Sequence, residues 1–200
     1  MSFTCLIKSL EFPQKNIPEW STHVERWYQL DAYAYGLCEA FFHLPNKDFN
    51  SLILASPEAS NETDFHFSHH SIASPQKFVH TLPNVRASVG LQAIGKKSPL
   101  ICMQNSPYSM SSALKEFDSQ MEEGKIPLLA SVFPFINDYS LQSPKTYGVF
   151  LLTRDKKGDW NWSRNSEAKE ELRDRDLQTV LFEKSNRKQL GPWVLEKVNG

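Results

Sequence analysis

The chain is 200 residues long, 40% hydrophobic and 22% charged, with a formal net charge of −1. That length fits one compact domain able to bury roughly 70% of the surface of its unfolded chain. The balanced charge offers no basic excess for nucleic acid or anionic lipid, and no apolar run approaches the length of a membrane span.

In chain order, residues 3–12 (FTCLIKSLEF) read as a strand closed by Pro13 and Pro18. The start lacks a basic segment and soon meets Lys8 and Glu11, so no signal peptide is expected. Cys5, Cys38 and Cys102 sit in apolar stretches without C-x-x-C spacing, which predicts reduced, buried thiols in a cytoplasmic protein. Residues 24–44 carry Ala32, Tyr33, Tyr35, Leu37, Ala40 and Phe41 at helical spacing and end at Pro45. The largely apolar SLILAS at 51–56 predicts a strand buried on both faces. Residues 58–74 are polar, rich in His and Ser, and predict a loop. Asn84 is placed to cap a helix that Gly95 stops.

The alternation then repeats, with a strand over 100–104, a helix over 108–123, and Gly124 as its stop. An apolar strand follows over 126–136, interrupted late by Pro134, and a last strand over 147–154 is expected to close the sheet. Residues 155–159 predict a turn, and 167–184 a surface helix with i,i+4 support from Glu171 to Arg175. The tail is expected to pack on the sheet through Leu177, Val180, Leu181, Trp193 and Val194. Together these elements predict an α/β fold, a layered mixed sheet with helices packed on it. Residues 1–200 form one domain in this reading, with 155–200 as a C-terminal extension packed on it.

The segment from Ser74 to Phe117 carries a further pattern: Ser74-Pro75, Phe78, Asn84, Ala87, Gly95 and Lys97-Ser98-Pro99, then the strand Leu100-Ile101-Cys102-Met103-Gln104 and Asn105-Ser106-Pro107. This order resembles the β-ketoacyl synthases, in which an S-P-x-x-F segment, an asparagine-led helix, a glycine and an R-G-P precede a strand ending on the nucleophilic cysteine at a helix start. The resemblance covers about three-quarters of the chain, and is nearest to the short ketoacyl-synthase-like amino-terminal domains of aryl polyene and related pigment polyketide systems. It implies one half of a thiolase-type fold, a β-α-β-α-β-α-β-β layer. The nucleophile would fall at or within a residue of Pro107, so the site near Ser106 and Pro107 is vacated.

A condensing enzyme needs a thiolate at a helix start, where the dipole and free N–H groups lower the thiol pKa and stabilise an oxyanion. Pro107 has neither nucleophile nor N–H, and after Gly124 too little chain remains for a second half domain with the decarboxylating residues that the family implies. Only 8 residues are Gly, few for catalytic loops that need several positive-φ turns. Cys102 lies five residues early, mid-strand, and fits a small core hydrophobe better than a shifted nucleophile.

The resemblance therefore implies a non-catalytic subunit, comparable in role to a chain-length factor in fatty-acid or polyketide biosynthesis. It would pair with a full-length ketoacyl synthase and need no cofactor. Ile101 and Met103 would lie on the strand that joins across the family's dimer interface. Lys77, Phe78 and Thr81 would lie on a loop reaching the partner's acyl tunnel, although a lone Phe between polar residues serves equally well as a core anchor. A second reading is a hydrolase or acyltransferase using a serine among Ser106, Ser109, Ser111 and Ser112 with His80 as base. A third is a scaffold binding acyl carrier protein through Lys96 and Lys97. His66, His69 and His70, near Glu62 and Asp64, could be written as a metal cluster, but neither helical periodicity nor a second ligand group frames them, and a solvated loop accounts for them better. For Trp160 and Trp162, burial against the sheet or a partner is favoured over an exposed sugar-binding platform.

Overall fold

The structure, a computed structural model, describes residues 1–12, 16–56, 82–104, 106–134, 146–168 and 171–198. Its elements run β1 (Ser2–Glu11), α1 (Ala32–Phe42), β2 (Ser51–Ser56), α2 (Pro83–Ala93), β3 (Leu100–Gln104), α3 (Ser109–Glu122), β4 (Pro127–Pro134) and β5 (Thr146–Arg154), followed by β6 (Trp160–Arg164), α4 (Asp174–Phe182), β7 (Arg187–Leu190) and β8 (Trp193–Lys197). Through β5 the order is the β-α-β-α-β-α-β-β layer that the sequence resemblance implies. The strands form one eight-stranded sheet in the order β3-β2-β4-β5-β1-β6-β8-β7. β2 is parallel to both β3 and β4, and the remaining pairings are antiparallel.

Period-2 alternation divides the core between the two faces of this sheet. Leu52 and Leu54, Leu128, Ala130 and Val132, and Val149 and Leu151 pack with the apolar sides of α1 and α2. Their sequence neighbours Ile53, Leu129, Phe133, Phe150 and Leu152 turn the other way and pack under α3 and α4 with Phe117, Leu177 and Leu181. A smaller cluster behind α1 and α2 holds Trp20, Tyr35, Cys38 and Val89. Both faces being covered explains why β2 is buried at every position. No helix among the described residues is long and apolar enough to cross a membrane.

Four local expectations change. The helix expected from residue 24 begins only at Ala32, because Leu30 is extended and Asp31 caps α1 by accepting from the Ala34 N–H at 2.7 Å; short 3-10 helices at Glu19–Thr22 and Trp27–Gln29 fill the approach. Asn84 does not cap α2: Leu82 is the N-cap residue and Pro83 takes the first helical position, where its fixed φ and missing N–H fit. The helix expected over 167–184 starts at Asp174, and Glu171, lying before it, pairs with Lys115 of α3 rather than with Arg175. β5 does not close the sheet; β1 pairs along its whole length, from Phe3 opposite Arg154 to Glu11 opposite Thr146, and β6, β8 and β7 extend the sheet beyond β1. The expected glycine stops stand, since Gly95 and Gly124 have φ of +63° and +80°, a region in which a Cβ is strained.

Candidate functional site: the start of helix α3

The turn to which the sequence resemblance assigns the nucleophile lies between β3 and α3. Ser106, Pro107 and Tyr108 make the turn, in which the Tyr108 N–H donates to Ser106 Oγ at 3.1 Å and the Ser109 hydroxyl donates to the Ser106 carbonyl at 2.8 Å. A helix start leaves free N–H groups that could cradle an anion. Here an internal carboxylate takes them. Asp174 Oδ2 accepts from the Ser109 N–H at 3.0 Å and Oδ1 from the Met110 N–H at 2.8 Å, while the Asp174 N–H donates to the Pro107 carbonyl at 2.7 Å.

Asp174 stands in the first turn of α4, so one carboxylate serves the N-terminal ends of two helices. Its residue is only 4% exposed. Burial pushes its carboxyl above the ordinary range, and the Met110 and Ser109 N–H groups pull it partway back. The preceding segment seals the same place: the Ser111 hydroxyl donates to the Leu172 carbonyl at 2.9 Å, and Lys115 pairs with Glu171. Chemically, the N–H pair that would stabilise an oxyanion is already occupied.

The other groups around this turn are equally committed. Cys102 is mid-strand on β3, opposite Leu54 of β2, and burial pushes its thiol up, away from a nucleophilic thiolate. The hydroxyls of Ser109 and Ser111 donate to backbone carbonyls and so are not poised toward a base, while Ser106 Oγ accepts a backbone N–H. Ser112 is half-buried further along α3. His80 lies outside the described residues, as do the S-P-x-x-F segment with Lys77, Phe78 and Thr81, and the cluster of Glu62, Asp64, His66, His69 and His70.

Ile101 and Met103 do lie together, on the same face of β3, paired with Ile53 and Ala55 of β2. β3 is the edge of the sheet, half-buried from Leu100 to Met103 and carrying no charged residue. The opposite edge, β7, carries Arg187 and Lys188. Of the two candidate carrier-binding lysines, Lys96 is folded back, its ammonium 4.2 Å from the Phe49 ring centroid and donating to the Lys47 carbonyl, while Lys97 is exposed. Trp160 and Trp162 lie on β6 and make no exposed platform: Trp160 is buried, and the Trp162 N–H faces Asp118 of α3 at 3.3 Å with its ring stacked on Trp193.

Sequence reasoning missed Asp174. An acidic residue in a first helical turn is a signal for its own helix, and nothing in the local pattern points it at another helix 64 residues away.

No protein-family model matches the chain, and no curated protein matches it. Among solved structures it is similar to a chain of the complex of a ketosynthase (ApeO) with its chain length factor (ApeC) from Xenorhabdus doucetiae, with TM-score 0.57 and 9% identity over 98% of each chain. Weaker likenesses are to an HMG-CoA synthase complexed with CoA (TM-score 0.40, 14% identity, 82% of this chain and 46% of that one) and to 3-oxoacyl-[acyl-carrier-protein] synthase III from Aquifex aeolicus VF5 (TM-score 0.31, 14% identity, 66% and 44%). With its β-α-β-α-β-α-β-β layer, the chain thus has a ketosynthase-like, thiolase-type fold.

Proposed function

We propose that this chain is a non-catalytic ketoacyl-synthase-like subunit that pairs with a full-length condensing enzyme in fatty-acid or polyketide-type biosynthesis, stabilising it or setting its chain length. The observation that carries the reading is the contrast between an occupied helix start and an uncharged sheet edge five residues before it. An open edge with apolar side chains is normally blunted by charge, bulges or cover, as β7 is by the exposed Arg187. β3 has no such protection among the described residues, which suits addition of a partner strand. The solved complex to which the chain is similar pairs a ketosynthase with a chain length factor, in keeping with this role. Acyl carrier protein would then be met by the complex, with Lys97 as the freer of the two lysines.

The test is co-expression with a tagged full-length synthase from the same source. The wild-type chain is expected to co-purify in a fixed ratio, and Ile101→Lys to abolish association, because an ammonium would be forced into the strand pairing. If the chain stays a well-behaved monomer with the synthase present, and the variant is indistinguishable from it, the pairing role is wrong. The serine-dependent alternative is disfavoured by the hydroxyl bonds of Ser109 and Ser111; stoichiometric acylation of one of these serines would reinstate it.

A further inference from the structure

The face of the sheet under α3 and α4 is left uncovered beyond the end of α4. There β1, β6, β8 and β7 turn Ile7, Trp160, Lys197 and Lys188 toward a hollow of about 410 Å³, bounded on the helix side by 181–186. That volume lies in the range of small-molecule sites, roughly 300–1,000 Å³. It sits on the strands at the far side of the sheet from β3, so it is separate from the proposed partner edge.

The lining has two parts. Ile7, Trp160 and Phe182 make an apolar floor, and Lys184, Lys188 and Lys197 face Glu183 as the only acidic side chain of the lining. Lys188 is the fixed element. Its residue is 4% exposed, and its ammonium donates to the Val180 carbonyl at 3.2 Å and the Glu183 carbonyl at 2.6 Å, which offsets the negative end of α4. An ammonium has three N–H donors, and these two bonds leave the third. Lys184 and Lys197 are exposed at the rim. Neither forms an ion pair among the described residues, whereas nearby Arg187 is paired with Glu196. A concave surface with an excess of ammonium groups over an apolar floor is complementary to an anionic head joined to an apolar tail.

We infer that this hollow is a binding site for a small anionic amphiphile, a single carboxylate on a short apolar chain. The carboxylate meets Lys184, Lys188 and Lys197, and the chain lies on Ile7, Trp160 and Phe182. The committed ligand is a free molecule rather than a lipid surface, because the hollow is bounded by the end of α4 and is of small-molecule size.

The experiment is a titration of the full chain with decanoate below its micelle concentration, followed by the indole N–H resonance of Trp160 in assigned spectra. Decyltrimethylammonium and acetate serve as probes of tail without negative charge and of charge without tail. A saturable shift with decanoate is expected, with at least tenfold weaker binding of both other probes. The double variant Lys184→Glu, Lys197→Glu changes exposed side chains only, so it is expected to keep the wild-type melting temperature and to bind decanoate at least tenfold more weakly. No saturable shift at Trp160, equal binding of the cationic amphiphile, or unchanged affinity in the double variant would each overturn the site. Binding of anionic vesicles in place of free decanoate would overturn the committed ligand class.

Discussion

Asp174 belongs to one helix and caps another, and its chemistry makes that arrangement measurable. Removing the carboxylate in Asp174→Ala strands the Met110 N–H in a buried place and leaves the Ser109 N–H only its longer bond to the Ser106 carbonyl at 3.2 Å. Losses of this kind cost about 1–2 kcal/mol. For a chain of this size that is a fall of roughly 2–8 °C in melting temperature, readable by calorimetry. Asp174→Asn keeps an acceptor and is expected to be milder. The pH dependence separates charge from hydrogen bonding. Because burial holds the folded-state pKa above its unfolded value, Asp174 contributes stability below the unfolded pKa, and this is lost as pH rises through the folded one. Stability of the wild type relative to Asp174→Asn should therefore decline as pH rises above the ordinary aspartate value of about 4; a flat or rising difference would contradict the burial argument. The thiols give a second residue-scale prediction. Burial pushes Cys5 up to about 12 and also raises Cys38 and Cys102. Incubation with an acyl thioester should leave the intact mass unchanged, and an adduct lost in Cys102→Ser would sink the non-catalytic reading.

At the scale of elements, α1 and α2 are locked by a pair that local pattern does not announce. Asp31, the N-cap of α1, receives the Arg86 Nε–H of α2 at 3.0 Å and lies 2.7 Å from the second guanidinium nitrogen. The guanidinium also stacks over Tyr33 at 4.6 Å from the ring centroid. Arg86 is 1% exposed. Breaking a buried pair leaves an uncompensated charge, so Arg86→Ala is expected to destabilise the fold by roughly 3–5 kcal/mol. The reading is a lower urea midpoint with an unchanged slope. A loss under about 1 kcal/mol would show that the pair is screened as surface pairs are.

For the whole molecule, the consequence of an uncharged β3 edge and a charged β7 edge is directional assembly. Placing a lysine on β7, as in Gln189→Lys, should leave pairing with a synthase intact, in contrast to Ile101→Lys; equal loss from both variants would mean that neither edge is specific. The proposed tunnel loop is tested in the assembled complex. Phe78→Ala is expected to lengthen or broaden the products at unchanged complex stability if Phe78 reaches the partner's tunnel. Loss of roughly 3–5 kcal/mol with unchanged products would instead make it a core anchor.

What the residues determined by themselves was the succession of elements. SLILAS, LICMQ and YGVFLL are strands because their apolar runs are too short for helices and are bounded by turn residues, and Gly95 and Gly124 stop their helices because only glycine takes those φ values without strain. The tertiary structure decided the rest. That β1 lies against β5 rather than closing elsewhere, and that the tail adds β6, β7 and β8 to the sheet, are long-range pairings that alternation within each strand cannot specify. The same holds for the capping of α3 by Asp174 and the pairing of Arg86 with Asp31. Each joins groups far apart in the chain, and a carboxylate or guanidinium has the same local signature whether it meets water or a buried partner.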